Sequence, residues 1–288
     1  MLFAAPGVGK SIVATQMALS LSSATPLFGS LTIPKPRRVY YLQLEGDYAM
    51  YIERIRRMKT RVPYVASRLF WDLEGDLNCM DPLSVRKYLT RIGETHSEVV
   101  ILDPLYTSVT GALGEEVPSK AIVRFSDRIR QTLPGCAVVF IHHTTKSEHD
   151  AAGNPLEDPF YGSQWLRAHI DTSYQLKRGP EKNWVSLYCK KDRGGEVHHQ
   201  IFLQYDAETD TCHVEHAKTK LASGEARVLA WIQECKAKGV ASTTFAATLA
   251  ACVPLSPAHL RRIQQRLMIN RVILLLRKEG LASEWTIV

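Results

Sequence analysis

What this sequence lacks narrows it first. Its six cysteines, at positions 79, 136, 189, 212, 235 and 252, include no CxxC pair. Zinc-ligand spacing and a dense disulfide framework are both excluded, and the thiols read as buried or idle groups in a reducing cytoplasm. No apolar run approaches the roughly 18 residues that a membrane-spanning helix needs; the stretch 272–276 is apolar but far too short. Met1-Leu2-Phe3 runs straight into a glycine loop, so a secretory leader is not expected. No internal repeat is found. What is present is ordinary for a globular protein: 288 residues, 45% hydrophobic and 23% charged, enough for one large core and a small accessory domain.

Charge is more informative by placement than by size. Residues 1–215 hold 25 Lys+Arg and 25 Asp+Glu, whereas residues 216–288 hold 11 and 4, so the whole net charge of +7 lies in the last quarter. A concentrated positive field favours a polyanion as partner. The competing reading is a solvated basic face on a small helical domain.

The first two-thirds alternates short β-rich apolar runs with helical patterns, the signature of parallel strands joined by crossover helices. Strands are expected at 1–4, 39–44, 99–102 and 137–142. Helices are expected at 11–22, 48–59 (with Tyr51, Ile55 and Met58 on one face), 82–94 and 119–131. The stretch 144–162 lacks periodicity and holds Gly and Pro, so it reads as a mobile loop. Further strands are expected at 172–177 and 184–190, then a hairpin of 200–205 and 212–215. The texture changes to a linker over 216–224. Beyond it, 225–238 and 243–252 read as helices. A third helix starts at Ser256-Pro257, with Ser as N-cap and Pro at the first helical position. Residues 274–279 read as helical with Gly280 as C-cap, and 284–288 as a terminal strand. The expected architecture is an α/β core over 1–215, a linker, and a basic winged-helix-like domain over 225–288.

Ala4-Ala5-Pro6-Gly7-Val8-Gly9-Lys10-Ser11 is a Walker A loop between a strand and a helix, although Ala4 stands at its first, usually glycine, position. Gly7 and Gly9 let backbone N–H groups turn inward around phosphate oxygens. Lys10 reaches the β- and γ-phosphates, and the Ser11 hydroxyl binds Mg²⁺. The helix that follows, over 11–22, points its N-terminus at the anion. The expected ligands are therefore ATP and Mg²⁺, with Pro6, Gly7, Val8, Gly9, Lys10, Ser11 and Ile12 around the nucleotide. Asp103 ends the strand Val-Val-Ile-Leu-Asp, where an acid holds the Mg²⁺ shell. Glu45 follows the second strand and is the candidate for orienting the attacking water, with Asp47 as the alternative.

Together these residues resemble the RecA/DnaB superfamily, and within it the RepA-like group of plasmid and phage replicative helicases (the AAA_25 family). The resemblance covers about residues 1–215. It rests on the Walker A loop, the strand ending at Glu45, Asp103-Pro104-Leu105, Phe140-Ile141-His142-His143-Thr144-Thr145-Lys146, and Gly162-Ser163-Gln164-Trp165-Leu166. It implies a RecA-like P-loop core with a γ-phosphate sensor at His143, or failing that His142. It also implies a Lys-x-Arg pair, here Lys191 and Arg193, reaching the nucleotide of a neighbouring subunit in a hexameric ring. Family members normally carry a segment ahead of the first strand that packs on the next subunit; here the chain begins almost at that strand.

DNA is the expected polyanion, contacted by Lys146 in the 144–162 loop and by Arg261, Arg262, Arg266 and Arg271 near the C-terminus. Winged-helix domains also dock proteins, so a primase or initiator is a further expected partner. The 144–162 loop holds Glu148, Asp150, Glu157 and Asp158 beside Lys146, a poor funnel for single strands, although Phe160 and Tyr161 offer stacking surfaces. Three readings follow. The first is a DNA-dependent ATPase of the replicative helicase type. The second is an ATP-switched DNA-binding regulator or loader, and the third a recombination mediator.

Overall fold

In the computed structural model the described residues are 1–144, 164–179, 183–194 and 200–214. Toward the C-terminus they are 228, 231–235, 237–239, 242–252, 257, 260–261, 263–264, 273–277 and 284–287. The chain divides into two compact units, Met1–Glu215 and His216–Val288.

The first unit alternates strand and helix as its patterning predicts. In chain order it holds β1 (Leu2–Ala4), α1 (Lys10–Ser23), β2 (Val39–Gln43), α2 (Tyr48–Met58), β3 (Leu69–Asp72), α3 (Pro82–Glu94) and β4 (Val99–Asp103). There follow α4 (Glu116–Thr132), β5 (Ala137–His143), α5 (Gln164–His169), β6 (Thr172–Arg178), β7 (Trp184–Asp192), β8 (Gln200–Asp206) and β9 (Thr211–Val214). They form one nine-stranded sheet in the order β3-β2-β4-β5-β1-β6-β7-β8-β9. From β3 to β6 every pairing is parallel, and β6 to β9 continue as antiparallel neighbours. Parallel neighbours need a crossover, which the helices supply; antiparallel ones need only a turn.

Strands β1, β2 and β4 are buried along their whole length, so their runs are almost continuously apolar. Val39 and Tyr41 pack on one side with Val13, Leu19, Ile55 and Met58, while Tyr40 and Leu42 pack on the other with Tyr88, Ile92, Ile122 and Phe125. Helix α2 buries Tyr51, Ile55 and Met58, the stripe that its sequence spacing predicts, and Asp47 caps it by accepting a hydrogen bond from the Ala49 N–H at 2.7 Å. Helix α1 buries more than one face because β9 also packs on it. The Gln16 side chain donates to the Cys212 carbonyl at 2.8 Å and accepts from its N–H at 2.6 Å.

Three features of this unit differ from the sequence reading, one of them helix α5, where no element is expected. Strand β3, on the sheet edge, is absent from that reading; its four residues Leu-Phe-Trp-Asp are too few to show alternation. Helix α4 begins at Glu116, ahead of Pro118, because proline is tolerated in a first turn, where its N–H has no intrahelical partner. The stretch 145–163 and the 216–224 linker lie outside the described residues.

In the second unit the described residues include strands Ser242–Thr244, Ile273–Arg277 and Glu284–Ile287, with Glu284–Ile287 central and antiparallel to both others. The helix Phe245–Ala251 is capped by Thr244, whose hydroxyl accepts from the Ala247 N–H at 3.2 Å. The expected helix over 243–252 therefore starts later. The expected helical turn at 274–279 is corrected outright, because 273–277 is a strand. A short apolar run such as Ile-Leu-Leu-Leu carries no period that separates helix from strand, and here pairing with 284–287 decides it. Residues 228, 231–235 and 237, and then 257, 260–261 and 263–264, are helical.

Candidate active site

Because β1, β2, β4, β5 and β6 are parallel, their carboxyl ends lie along one edge of the sheet, the usual ligand edge of an open α/β sheet. Register places Ala4 beside His143 and Gln43 beside Asp103. The chain leaves β1 through Pro6, Gly7, Val8 and Gly9. Gly7 and Gly9 have φ of +72° and +102°, a left-handed backbone that a side chain would strain. Lys10 and Ser11 open α1, while Val8 and Ile12 pack against the core.

Lys10 is buried, 6% exposed, and its partners are neutral. Its Nζ donates to the carbonyls of Ala4 and Ala5 at 3.1 and 3.0 Å and lies 3.2 Å from His143 Nδ1. Burial pulls its pKa down to about 8, against the pull of Asp103 and Glu45. Among the described residues no side chain caps α1, and none in its first turn is acidic. An uncapped helix N-terminus, a buried ammonium and two left-handed glycines together form a cradle for an anion.

On the far side of Lys10, the Ser11 hydroxyl donates to Asp103 Oδ1 at 3.2 Å. Asp103 is 2% exposed, and burial raises its pKa against hydrogen bonds from Tyr41 and Ser11. Its Oδ2 accepts from the hydroxyls of Tyr41 at 2.5 Å and Tyr51 at 3.4 Å. Among the described residues no group of three or more His, Cys, Asp or Glu side chains could enclose a metal ion. One hydroxyl and one carboxylate beside an anion cradle suit Mg²⁺, which keeps waters and takes phosphate oxygens as its other ligands. The residues present thus fit a magnesium nucleotide.

Glu45 lies just beyond β2, exposed, with its backbone carbonyl accepting from the Gln43 side chain; the pKa of the Tyr106 phenol is pushed up to about 12 by burial and then by the Glu45 carboxylate. Tyr106 also meets His143 edge-on, ring centroids 5.1 Å apart. His143 has its pKa lowered by burial and by the Lys10 charge. His142 is fully buried, and it is His143 that faces Lys10. Asp47, the alternative to Glu45, is occupied as the cap of α2. Lys10, Ser11, Glu45, Asp103 and His143 thus converge at one edge.

Lys191 and Arg193 do not join them. β7 runs antiparallel to β6, with Asp192 opposite Thr172, so this pair lies by the start of β6, at the other end of the sheet. Lys191 donates to the Arg167 carbonyl at 2.8 Å; Arg193 pairs with Asp171 at 2.8 Å and donates to the Ala168 carbonyl at 2.6 Å. In the Gly-Ser-Gln-Trp-Leu segment, Leu166 is buried and Trp165 is exposed under the Lys120 ammonium, 4.5 Å from the ring centroid. Arg261 is exposed in a helical stretch; Lys146, Phe160, Tyr161, Arg262, Arg266 and Arg271 lie outside the described residues.

Sequence reasoning misses Arg178. It ends β6, and its guanidinium donates to the Gly7 carbonyl at 3.2 Å. Only the strand order, with β6 next to β1, brings it there. Tyr41 and Tyr51 are missed as polar partners of Asp103 for the same reason, although helical spacing does place Tyr51 on the buried face of its helix.

A mostly parallel sheet with this loop, this lysine–serine pair and a carboxylate on a neighbouring strand end is a core of the RecA type. Residues 1–149 match the model of AAA_25, described as an AAA domain, and the chain belongs to that family. Two solved structures share the fold. One is a DnaB-like replicative helicase, described with its interactions with primase: 16% identity, TM-score 0.53, 74% of this chain and 57% of that one. The other is described as an ATPase domain: 15% identity, TM-score 0.54, 75% of this chain and 84% of that one. The chain therefore spans little more than half of the helicase structure. No curated protein sequence matches it significantly.

Among the described residues no helix is long and apolar enough to cross a membrane, and the six cysteines are free thiols, all buried except the half-buried Cys189.

Proposed function

We propose that the chain hydrolyses ATP at this edge as a DNA-dependent motor of the RepA-like replicative helicase type, serving replication of a plasmid, phage or other mobile element. One observation carries the ATP reading: a buried lysine with neutral partners at an uncapped helix N-terminus, one residue from a serine hydroxyl 3.2 Å from a buried aspartate. Magnesium-bound ATP supplies the phosphoanhydride to be cleaved and a cation that draws charge off it. Around it, the backbone N–H groups of 7–12 and the Lys10 ammonium would hold phosphate oxygens. Ser11 and Asp103 hold the metal side. Glu45 orients a water and accepts its proton. His143, neutral at pH 7 because its pKa is lowered, reports the terminal phosphate to β5.

Lys191 and Arg193 lie about 20 Å from their own cradle, since the seven residues of β6 separate the two ends at ~3.3 Å each. They suit a neighbour's site, so the active form is a head-to-tail ring, proposed hexameric. In this reading residues 225–288 form a basic winged-helix-like domain that carries DNA through Arg261, Arg262, Arg266 and Arg271 or docks a primase or initiator, and the setting is cytoplasmic.

The acidic residues of 144–162 favour a second reading, an ATP-switched DNA-binding regulator or loader with slow turnover. Steady-state ATP hydrolysis with and without single-stranded DNA, across protein concentration, separates the two. The motor predicts strong stimulation that rises cooperatively with concentration. Slow turnover indifferent to single strands contradicts it.

A further inference from the structure

Asp103 is held unequally at its two oxygens. Its Oδ1 receives Ser11, while both Tyr41 and Tyr51 converge on Oδ2, at 2.5 and 3.4 Å. An ionised carboxylate offers lone pairs on both oxygens. Two phenols on Oδ2 therefore fix the rotation of the group and leave Oδ1 turned toward Ser11.

The phenols are themselves immobilised. Tyr41 is fully buried and tilts against Trp71 at a centroid distance of 5.0 Å; Tyr51 is 4% exposed, with the Arg54 guanidinium 4.8 Å from its ring centroid. Their placement along the chain matters equally. Tyr41 is on β2 and Tyr51 on α2, the two elements that flank Glu45. Between them the chain is pinned. The Leu44 N–H donates to the Asp103 carbonyl at 2.8 Å, the Gln43 side chain holds the Glu45 carbonyl, and Gly46 turns at φ +107° with Gln43 Nε2 3.1 Å from where a Cβ would stand. Asp47 then caps α2.

We infer that Tyr41 and Tyr51 are positioning residues that clamp Asp103 with Oδ1 toward the metal side and lock the Glu45 turn to it, so that metal affinity and the placement of Glu45 are set together. The inference rests on the magnesium–ATP reading above. It assigns no chemistry to the phenols, which act through Asp103. If Asp103 merely satisfied two buried hydroxyls, removing either hydroxyl would leave metal binding unchanged.

The test uses the full chain with Tyr41→Phe and Tyr51→Phe, each of which removes one oxygen and keeps the ring. Partners that orient a metal ligand typically contribute about 10- to 100-fold in metal affinity or activity. The expected result is a rise of about tenfold or more in half-saturating Mg²⁺ for turnover in Tyr41→Phe, and a smaller rise in Tyr51→Phe, matching the longer contact. Mn²⁺ titration followed by electron paramagnetic resonance, with ADP present, should show the same loss of metal affinity without any turnover. Nucleotide binding in EDTA should be unchanged. Unaltered Mn²⁺ affinity in both variants overturns the clamp while leaving the ATP reading intact, even where kcat falls. A wild-type chain that turns over no ATP overturns the ATP reading and the clamp with it. Should Tyr41→Phe lose its fold by circular dichroism, Tyr51→Phe decides alone by the same Mn²⁺ criterion.

Discussion

The two ends of the sheet are built differently. At the carboxyl ends of the parallel strands, Lys10, Ser11, Asp103 and His143 are brought together from two strand ends and one helix head, and all four are half-buried or better. At the opposite end, Lys191 and Arg193 are held by the C-terminal turn of α5 and by Asp171, with Arg193 largely exposed. The first end is preorganised within one chain, as electrostatic catalysis requires. The second holds its cations on exposed contacts of the kind that give up little on release. The difference suits a site whose fixed part belongs to one copy and whose mobile part comes from the next.

The largest effect is expected from Arg193→Ala. An arginine reaching a neighbour's phosphate typically contributes about a thousandfold or more to turnover. The variant should lose that activity while binding nucleotide nearly as wild type, measured with a fluorescent nucleotide. Mixed with a Lys10→Ala chain, equally inert alone, it should regain part of the turnover, because some interfaces then pair an intact cradle with an intact arginine. Wild-type behaviour of Arg193→Ala would confine all chemistry to one end.

A smaller effect is expected from pH. Burial and the Lys10 ammonium hold the His143 pKa below its ordinary 6.5, so the ring is neutral at pH 7 and charges only on further acidification. Protonation places a second cation beside Lys10. Turnover should therefore be retained above 6.5 and fall on the acid side below it, and His143→Gln should lose that limb. Identical pH–rate curves for the two proteins would remove His143 from the site. The smallest effect belongs to Arg178→Ala. One exposed hydrogen bond to the Gly7 carbonyl is worth about 1 kcal/mol, or roughly fivefold in nucleotide affinity. A loss of several hundredfold would instead give Arg178 a direct contact with the nucleotide.

The parallel core is legible in the sequence because buried parallel strands are continuously apolar, and the glycine loop and the strand-end acid carry their own spacing. Helix α3 follows its predicted span because Asp81 and Pro82 mark its start, the Asp81 carboxylate accepting from the N–H groups of Leu83 and Ser84 at 3.1 Å. What stays hidden depends on strand order and on pairing. No local pattern announces that β6 lies beside β1 and carries Arg178 to Gly7, or that Tyr41 and Tyr51 meet on one oxygen of Asp103. Likewise 273–277 has an apolar run that serves either structure until a partner strand is supplied.

Everything proposed for this chain depends on ATP hydrolysis at the Lys10 cradle. It is tested most directly by magnesium-dependent phosphate release from ATP, measured on the wild-type chain and Lys10→Ala side by side. The expected result is turnover by the wild type and a loss of about a hundredfold or more in the variant, with its fold unchanged. Turnover that persists in Lys10→Ala, or a wild-type chain that releases no phosphate under any nucleic-acid condition, would contradict it.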